Sequence, residues 1–389
     1  MLNKPSVAII TSLTGGLGHY AAHLASPLSQ YCEKVKFITY PQIDPLGTIV
    51  KEVTDPIIKK YVKYPRFDID ESSPASIINI NRYLDEKGIS IINIHVATTV
   101  KKKINYFVTF IDYSKKICNR KIVLTLHDVL PFDEDSTLIP LLKVFYGQAD
   151  HITVGNPEEK AKLIKHFQIS ERKISIIPHG IYNLFDRKFY TQESARKFLS
   201  LPANQQVILF FGFLRPYKGF DVLIRAVNEL AKKRDDFVVY VSSGIKYAPE
   251  DLAQRYRDMI EECGIKDKFL LSLKYIDTSE IEAVFKASDI VALPYTHASQ
   301  SGVAMMAMGF AKPVVISDIF YDRTWIGNKA GLVFKSKNFK DLAKKVSVLL
   351  DNPEKAKAMG ETGNAFSSEH LGWEKVAKQF AKVYQLLSK

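Results

Sequence analysis

Cysteine is scarce in this sequence, and the scarcity excludes two kinds of scaffold. The 389 residues include three cysteines, and Cys32, Cys118 and Cys263 lie far apart. An odd number of cysteines at these distances fits neither a disulfide framework nor a zinc site. We therefore expect buried or inert thiols.

Long apolar runs are absent as well. No run reaches the roughly 18 residues that indicate a membrane-spanning helix. The first residues lack the extended apolar stretch and the small-residue cleavage site of a secretory signal. These absences predict a cytoplasmic protein, with peripheral contact at the inner membrane face left open.

Positive charge is in excess but is not concentrated. The net charge is +12, and both halves of the chain share the excess, so neither half is a basic arm for nucleic acid. The signatures of RNA- and DNA-binding modules are absent too. We expect no nucleic-acid partner, whereas an anionic small molecule or a membrane surface would match the charge.

One segment allows a membrane interpretation. Lysines at 101–103 and 115–116 flank an aromatic-rich helix predicted over 104–113, which is a pattern of peripheral membrane helices. A core-facing helix with solvated lysines at both ends would have the same sequence. The sequence leaves both interpretations open.

What is present is an alternation of short apolar runs and longer amphipathic stretches, which is typical of βαβ units. At this length two domains of similar size are expected. The pattern predicts an α/β protein with two sets of buried parallel strands, at 7–11, 35–40, 91–95, 122–126, 151–154 and 174–177, and at 207–212, 237–242, 269–273, 290–294 and 313–317.

The two sets of strands define the expected domains. Residues 1–185 form an amino-terminal Rossmann-like domain and residues 186–370 a second one, and we expect the two doubly wound domains to face each other across a cleft. Such sheets bind ligands at the carboxyl ends of their strands. The helix predicted within 371–389 has apolar residues at helical spacing, so we expect it to pack back toward the amino-terminal domain.

A glycine cluster follows the first strand. Gly15, Gly16 and Gly18 precede an alanine- and leucine-rich helix, and glycine lets a backbone turn tightly and approach an anion at a helix N-terminus. The order Gly-Gly-x-Gly differs from the dinucleotide-binding pattern. A tight turn without a ligand is the alternative interpretation.

A histidine ends the fourth predicted strand. The sequence Leu-Thr-Leu-His-Asp places His127 at the edge of the sheet, where its ring could hydrogen-bond a substrate hydroxyl or a developing charge. A histidine satisfied by the backbone of the strand end is the alternative.

Two cations occupy the loop after the first strand of the second domain. The strand at 207–212 opens into Phe-Leu-Arg-Pro-Tyr-Lys-Gly, which places Arg215 and Lys218 on a glycine-bounded loop. Arginine can bind two phosphate oxygens at once, and lysine supplies a point charge. The pattern indicates a diphosphate site, with solvated surface charge as the alternative.

A second anion site is predicted later in this domain. A small polar turn after the strand at 290–294 leads into an apolar helix that begins near Val303. The amides of Ser301, Gly302 and Val303 would lie at the N-terminus of this helix, where anions bind.

Taken together, these segments resemble glycosyltransferase family 4, a retaining family with the GT-B fold of two facing Rossmann-like domains. The resemblance spans nearly the whole chain. The motifs that carry it are Gly-Gly-Leu-Gly at 15–18, His-Asp at 127–128, Ile-Pro-His-Gly at 177–180, Phe-Gly-Phe-Leu-Arg-Pro-Tyr-Lys-Gly at 211–219, Ser-Asp-Ile-Val-Ala-Leu-Pro at 288–294 and Ala-Lys-Pro-Val-Val at 311–315.

The resemblance implies roles for these residues. The amino-terminal domain would take the acceptor and the carboxy-terminal domain the nucleotide sugar. Gly16 would face the transferred sugar and its phosphates, His127 would approach the sugar ring, and Arg215 and Lys218 would neutralise the departing diphosphate. No metal or other cofactor is expected, and the acidic run at 133–135 is interpreted as a solvated loop.

The sequence departs from the family pattern at two points. Many members carry two glutamates, separated by seven residues, where this chain has Ala298 and Met306. The phosphate-binding arginine more often follows the glycine directly, where this chain has Phe213. Arg215 lies two residues further on and would reach back from the loop.

Other polar residues are candidates to replace the glutamates. The Ala-Ser-Gln-Ser-Gly-Val string is similar to that of a family subset that makes bacterial polysaccharides. Either Ser299, Gln300 or Ser301 substitutes for the missing carboxylates, or the contacts to the donor differ. Candidate contacts to the sugar or ribose are His19, Ser299 and Gln300.

The resemblance implies transfer of a hexose from a UDP- or GDP-sugar to a hydroxyl of a glycan or lipid-linked acceptor, with retention of the anomeric configuration. A sugar-nucleotide 2-epimerase is one alternative, and it would form product without an acceptor. A non-catalytic nucleotide-sugar-binding subunit is the other, and it would bind UDP or GDP without transfer or donor hydrolysis.

Overall fold

The computed structural model describes residues 4–13, 15–39, 42–43, 49–50, 55–63, 74–96, 101–130, 136–245, 248–298, 300–321, 323–327 and 329–388. The chain divides into two compact units. The amino-terminal unit comprises Met1–Gly180 and Gly372–Lys389, and the carboxy-terminal unit comprises Ile181–Leu371.

The amino-terminal unit is built on a six-stranded parallel sheet. The strands of this unit are β1 (Ser6–Ile10), β2 (Lys34–Ile38), β3 (Gln42–Ile43), β4 (Ile49–Val50), β5 (Ile91–Val96), β6 (Lys121–Leu126), β7 (His151–Val154) and β8 (Ile174–Ile176). The order in the sheet is β2-β1-β5-β6-β7-β8, and β3 and β4 form a separate antiparallel pair. The helices are α1 (Gly15–Ser29), α2 (Pro56–Tyr61), α3 (Pro74–Glu86), α4 (Lys101–Lys116), α5 (Ile139–Gly147) and α6 (Pro157–Phe167).

The carboxy-terminal unit has a second six-stranded parallel sheet. Its strands are β9 (Gln206–Phe211), β10 (Phe237–Ser242), β11 (Phe269–Ser272), β12 (Ile290–Leu293), β13 (Val314–Ser317) and β14 (Gly331–Phe334). The order is β11-β10-β9-β12-β13-β14, which is the Rossmann order with its switch point between β9 and β12. The helices are α7 (Gln192–Phe198), α8 (Phe220–Ala231), α9 (Leu252–Glu262), α10 (Ile281–Ala287), α11 (Gly302–Gly309), α12 (Arg323–Ile326), α13 (Phe339–Leu350) and α14 (Pro353–His370).

The predicted fold class of two Rossmann-like domains is confirmed. Strands such as β1 and β5 are buried along their whole length, because helices cover both faces of a parallel sheet. The sequence analysis missed β14 and the short antiparallel pair of β3 and β4. Gly331 is required in β14 because a Cβ would overlap the carbonyl of Val314 on β13.

The division between the units differs slightly from the expected one. We placed the boundaries after residues 185 and 370, whereas the structure divides the chain after Gly180 and after Leu371. The amide of Ile181 donates to the carbonyl of Leu371 at 3.0 Å. The Tyr182 backbone lies against Gly309 of α11, so these residues pack with the carboxy-terminal unit.

The last helix, α15 (Trp373–Leu387), belongs to the amino-terminal unit. It packs against α1, and the Trp373 ring lies 4.7 Å from the Tyr20 ring, measured between centroids. Gly180 is tightly enclosed here, because a Cβ would meet the indole of Trp373. The helix therefore completes the core of the unit in which the chain begins.

Helix α4, for which the sequence left two interpretations, turns its aromatic residues inward. Tyr106, Phe107 and Phe110 are buried in the core cluster of the amino-terminal unit. Lys115 pairs with Asp150 at 2.9 Å and Lys116 pairs with a residue of the same helix. This is the arrangement that the core-facing interpretation predicted. Within the described residues, no helix combines the length and apolarity required to cross a membrane.

Candidate active site

The three glycines after β1 have different surroundings. Gly15 has a φ of +55°, a conformation that glycine adopts at no steric cost. A Cβ on Gly18 would lie 2.5 Å from Ile58 Cδ1 and 2.7 Å from the carbonyl carbon of Leu13, so Gly18 allows α1 to pack closely. Gly16 is exposed, and a Cβ there would meet nothing within 4 Å. Local packing therefore explains Gly18 and leaves Gly16 unexplained.

His19 joins α1 to α2. Its Nε2 lies 2.7 Å from Oδ2 of Asp55, and the other carboxylate oxygen accepts from the amides of Ile57 and Ile58 at the start of α2. The His19 side chain is also buried. The structure thus pairs His19 with Asp55, and the sugar or ribose contact that we expected for His19 stays a prediction.

The ring of Tyr20 is surrounded by aromatic side chains. Its centroid lies 5.4 Å from that of His95, 4.9 Å from His127, 5.2 Å from His179 and 4.7 Å from Trp373, and all four contacts are edge-to-face. Edge-to-face contacts hold rings in defined orientations. The sequence analysis identified His127 alone among these residues.

His127 lies directly after β6, as predicted. Its amide donates to the Val96 carbonyl at 2.9 Å, which extends the pairing with β5 by one residue. The side chain is half-buried. Burial lowers the pKa of His127 well below its ordinary value, and nearby His95 and His179 lower it further. His127 is therefore neutral at pH 7 and can donate or accept one hydrogen bond at each ring nitrogen.

The cation-bearing loop after β9 is bounded by two glycines with positive φ. Gly212 has a φ of +107° and Gly219 a φ of +68°. A Cβ on Gly219 would overlap the carbonyl of Pro294, which follows β12. The carbonyl of Tyr217 accepts from the amide of Thr296 at 2.7 Å. These contacts hold the loop after β9 against the loop after β12, at the switch point of the sheet.

Arg215 enters this loop in an extended conformation. Its φ and ψ are −138° and 145°, because the following proline disfavours helical backbone at the residue before it. A short 3-10 turn, Pro216–Lys218, comes next. The half-exposed Arg215 therefore stands at the entrance of the turn and Lys218 at its end.

Lys218 is a buried cation. Its side chain is 7% exposed; its Nζ lies 3.5 Å from the Phe211 carbonyl oxygen and 5.2 Å from the centroid of the Tyr295 ring. Within the described part of the chain, no carboxylate lies within ion-pair distance of this ammonium. Burial lowers the pKa of Lys218, and the charge of Arg215 lowers it as well, while Tyr217 acts in the opposite direction.

The first turn of α11 meets this cation at Gly212. A Cβ on Gly212 would overlap Lys218 Nζ and lie 3.8 Å from Val303 Cγ2. Ser301 caps the helix, since its hydroxyl oxygen accepts from the Ala304 amide at 3.2 Å. The amides of Gly302 and Val303 belong to the first turn, whose amides have no intrahelical acceptor. The two predicted anion sites are thus a single site.

The candidate replacements for the missing glutamates have separate outcomes. Ser299 lies outside the described residues. Gln300 is half-buried in the turn before α11, and Ser301 is occupied as the helix cap. Met306 is buried within α11, so an apolar side chain there fills the core. The acidic run at 133–135 also lies outside the described residues.

A groove of about 740 Å³ opens beside the same turn. It is lined by Pro216 and Tyr217, together with Arg225, Arg255 and Lys337 from other elements of this unit. Neither Arg215 nor Lys218 lines it. The groove is therefore separate from the buried cation site.

The sequence analysis also missed the buried polar residues behind His127. Asn93 and His95 occupy alternate positions of β5 and are 0% and 1% exposed. Their appearance in the otherwise apolar strand Ile-Ile-Asn-Ile-His-Val was a usable signal, because a buried polar group requires a hydrogen-bond partner. In the part of the chain that the structure describes, no group of three or more His, Cys, Asp or Glu is arranged to hold a metal ion.

Comparison with known families and proteins agrees with this two-part architecture. Residues 14–182 match the family described as Glycosyltransferase Family 4, and residues 191–366 match the one described as Glycosyl transferases group 1. A D-inositol 3-phosphate glycosyltransferase from Corynebacterium aurimucosum is 29% identical over 248 residues, which are 61% of this chain and 56% of the relative. The chain thus spans little more than half the length of this curated relative.

Solved structures share the fold over its full length. Sucrose-phosphate synthase from Thermosynechococcus elongatus has a TM-score of 0.78 and 20% identity, covering 99% of each chain. HepE from Anabaena, solved in complex with UDP-glucose, has a TM-score of 0.75 and 16% identity, covering 99% of this chain and 100% of HepE. At this level of identity the likeness establishes the GT-B fold.

Proposed function

We propose that this chain, which is a family-4-like glycosyltransferase with the GT-B fold, transfers a hexose from a UDP- or GDP-sugar. The acceptor is a hydroxyl group of a glycan or lipid-linked molecule, and the anomeric configuration is retained. The product belongs to polysaccharide or glycoconjugate synthesis.

The buried, unpaired ammonium of Lys218 carries this proposal. An isolated charge away from water costs several kcal/mol, so buried cations in folded proteins are normally paired. Arg120, a buried cation of the amino-terminal unit, follows that rule by pairing with Asp85. No carboxylate of the described residues pairs with Lys218 in this way. An anionic ligand that binds beside it would supply the missing partner.

A nucleoside diphosphate matches the donors around Lys218. In the reaction, the bond between the anomeric carbon and the diphosphate oxygen breaks, and negative charge accumulates on the leaving group. Lys218 and Arg215 oppose that charge, and the amides of Gly302 and Val303 donate to phosphate oxygens at the N-terminus of α11. The hydrogen bond from Thr296 to Tyr217 holds the loops after β9 and β12 together, so these donors are positioned before the charge develops.

The amino-terminal unit contributes two residues to this proposal. The exposed Gly16 leaves room for the sugar and phosphates to approach the backbone at the start of α1. The neutral His127 contacts a hydroxyl group of the hexose. These roles rest on the family resemblance and on the open surroundings of Gly16. We propose that the reaction needs no metal ion.

Lys218→Met tests the anion site without reference to an acceptor. Methionine is unbranched and uncharged, so the variant removes a buried charge while filling similar space. We expect the melting temperature of the ligand-free protein to rise. Among UDP, GDP, ADP and their common sugars, the nucleotide that stabilises the wild type should no longer stabilise the variant. UDP-glucose is the first donor to test, because HepE is known in complex with it.

Turnover provides the second test. Arg215→Ala and Lys218→Met should each lower the transfer rate by about 10² to 10³, as loss of comparable electrostatic donors does. Lys232→Ala is the matched control, because Lys232 is exposed at the end of α8 and pairs with Glu229. Wild-type turnover in both site variants would contradict the diphosphate assignment. Product formed without an acceptor would indicate an epimerase, and binding without transfer or hydrolysis would indicate a non-catalytic subunit.

A further inference from the structure

A line of buried polar side chains crosses the sheet of the amino-terminal unit. The hydroxyl of Thr153 donates to Thr125 Oγ1 at 2.9 Å, and the hydroxyl of Thr125 donates to Asn93 Oδ1 at 2.8 Å. Asn93 Nδ2 donates to the Tyr384 hydroxyl of α15 at 2.7 Å. The residues come from β7, β6, β5 and α15, and all four are buried. These contacts fix the orientation of the Asn93 amide.

The same amide reaches His127 through a second histidine. Asn93 Nδ2 lies 3.4 Å from His95 Nε2, and His95 Nδ1 lies 3.4 Å from His127 Nε2. The stacking of Phe380 on the His95 ring, with centroids 6.1 Å apart, restrains that ring from the side of α15. His95 therefore stands between a fixed amide and His127.

The directions of these hydrogen bonds follow from the chemistry of the groups. An amide nitrogen can only donate, so His95 Nε2 must accept. Neutral His95 then carries its proton on Nδ1, which donates to His127 Nε2. Because that nitrogen of His127 accepts, the ring proton of neutral His127 is on Nδ1. Burial keeps the pKa of His95 at about 3, so this histidine is neutral at pH 7.

The remaining nitrogen of His127 is then a donor. Among the described residues, Nδ1 of His127 has no hydrogen-bond partner, and the side chain is half-buried at the carboxyl end of β6. An N–H group fixed in this way is arranged to donate to an oxygen that the protein itself does not supply.

We propose that His95 and Asn93 are positioning residues that hold His127 in its Nδ1–H tautomer, so that it donates a hydrogen bond to a hydroxyl oxygen of the substrate. This inference rests on the proposed function for the identity of the acceptor oxygen. The tautomer itself is a property of the protein without ligand. A neighbouring residue that hydrogen-bonds a catalytic histidine and fixes its tautomer is known to control the activity of that histidine.

Two substitutions of His95 separate positioning from simple packing. His95→Phe keeps a ring but removes the donor to His127, so the Nε2–H tautomer of His127 becomes accessible. His95→Gln supplies a side-chain amide that can again donate to His127 Nε2. His151→Phe is the control, because His151 is a buried histidine of β7 that bonds to Ser175 instead. Thermal melting verifies that all variants are folded.

The tautomer is measured by nitrogen-15 NMR of the full chain labelled at histidine, without ligand at pH 7.5, with His127 assigned from a His127→Gln variant. We expect Nδ1–H in the wild type, in His95→Gln and in His151→Phe, and a shift toward Nε2–H in His95→Phe. Transfer should fall about tenfold to hundredfold in kcat/KM for His95→Phe, and His95→Gln should recover most of it.

Three results would overturn the inference. The first is an Nε2–H tautomer of His127 in the wild type, and the second is an unchanged tautomer in His95→Phe. The third is wild-type transfer by His95→Phe despite a changed tautomer. If the wild type transferred no sugar at all, the proposed function would fail, and the NMR result would decide the tautomer inference by itself.

Discussion

Acid should destabilise the amino-terminal unit through its buried histidines, and His23 and His95 show the size of the effect. Burial lowers the pKa of His23 to about 3 and that of His95 to about 3, whereas an unfolded histidine has a pKa of about 6.5. Below pH 6.5 the unfolded chain therefore binds more protons than the folded chain, and stability falls as the pH falls. The stabilisation is present above pH 6.5 and is lost progressively toward about pH 3.

The size of the effect follows from these pKa values. One pKa unit corresponds to about 1.4 kcal/mol, so lowering the pH from 7 to 5 should remove about 2 kcal/mol per buried histidine. For His23 and His95 together the loss is about 4 kcal/mol. That is a large part of the about 5–15 kcal/mol that stabilises a typical domain.

Urea unfolding at pH 7 and pH 5 measures this loss. The chain has two tryptophans, and in a Trp325→Phe background the fluorescence reports on Trp373, whose ring contacts those of Tyr20 and His23. His95→Gln should reduce the pH-dependent loss by about 2 kcal/mol. His166→Gln, a change at an exposed histidine of α6, should leave it unchanged. An identical loss in His95→Gln and the wild type would refute the reasoning.

Three further predictions concern other parts of the molecule. Gly16→Ala should keep the free energy of unfolding within about 1 kcal/mol of the wild type and lower the rate of transfer at least about tenfold. Gly18→Ala should lower the free energy of unfolding by about 1–3 kcal/mol, because its Cβ overlaps Ile58. Equal transfer by Gly16→Ala and the wild type would remove Gly16 from the site. Arg120→Met should lower the free energy of unfolding by about 1–3 kcal/mol in the same assay, since it removes the hydrogen bonds that Arg120 donates to both oxygens of the buried Asn81, while Ser114 still donates to Asn81 Oδ1; no measurable loss would show that these bonds are dispensable. Chelation with EDTA should leave transfer unchanged, and loss of activity restored by a divalent cation would contradict a metal-independent reaction.

The fold was predictable because its determinants are local. Strands such as β1, β9 and β12 each contain a run of four or five apolar residues, and small polar residues follow β1 while Gly212 follows β9. Periodicity and turn chemistry therefore identify the βαβ units directly. The missed strand β14 lies at the edge of its sheet, and its pairing with β13 is a tertiary contact that no local pattern reveals.

The candidate site was predictable in its cations and in His127, but not in the other residues around the Tyr20 ring. Arg215 and Lys218 follow a recognisable strand, and strand order alone brings the loops after β9 and β12 together. The sequence could not show that Lys218 is buried without a carboxylate, because burial depends on the packing of Tyr295 and α11. Asp55, whose carboxylate pairs with His19, lies before α2 and far from His19 in the sequence. The pairing of these two residues is therefore visible only in three dimensions.

The last helix has a consequence for the order in which the protein matures. Helix α15 supplies Trp373 to the ring of Tyr20 and Tyr384 to the amide of Asn93, yet the ribosome makes it only after the entire carboxy-terminal unit. A nascent chain that has completed the six strands of its first sheet still lacks Tyr384, which helps to orient Asn93 behind His95. The arrangement of Asn93, His95 and His127 is therefore completed late in biosynthesis, and chains that stall before α15 do not complete it.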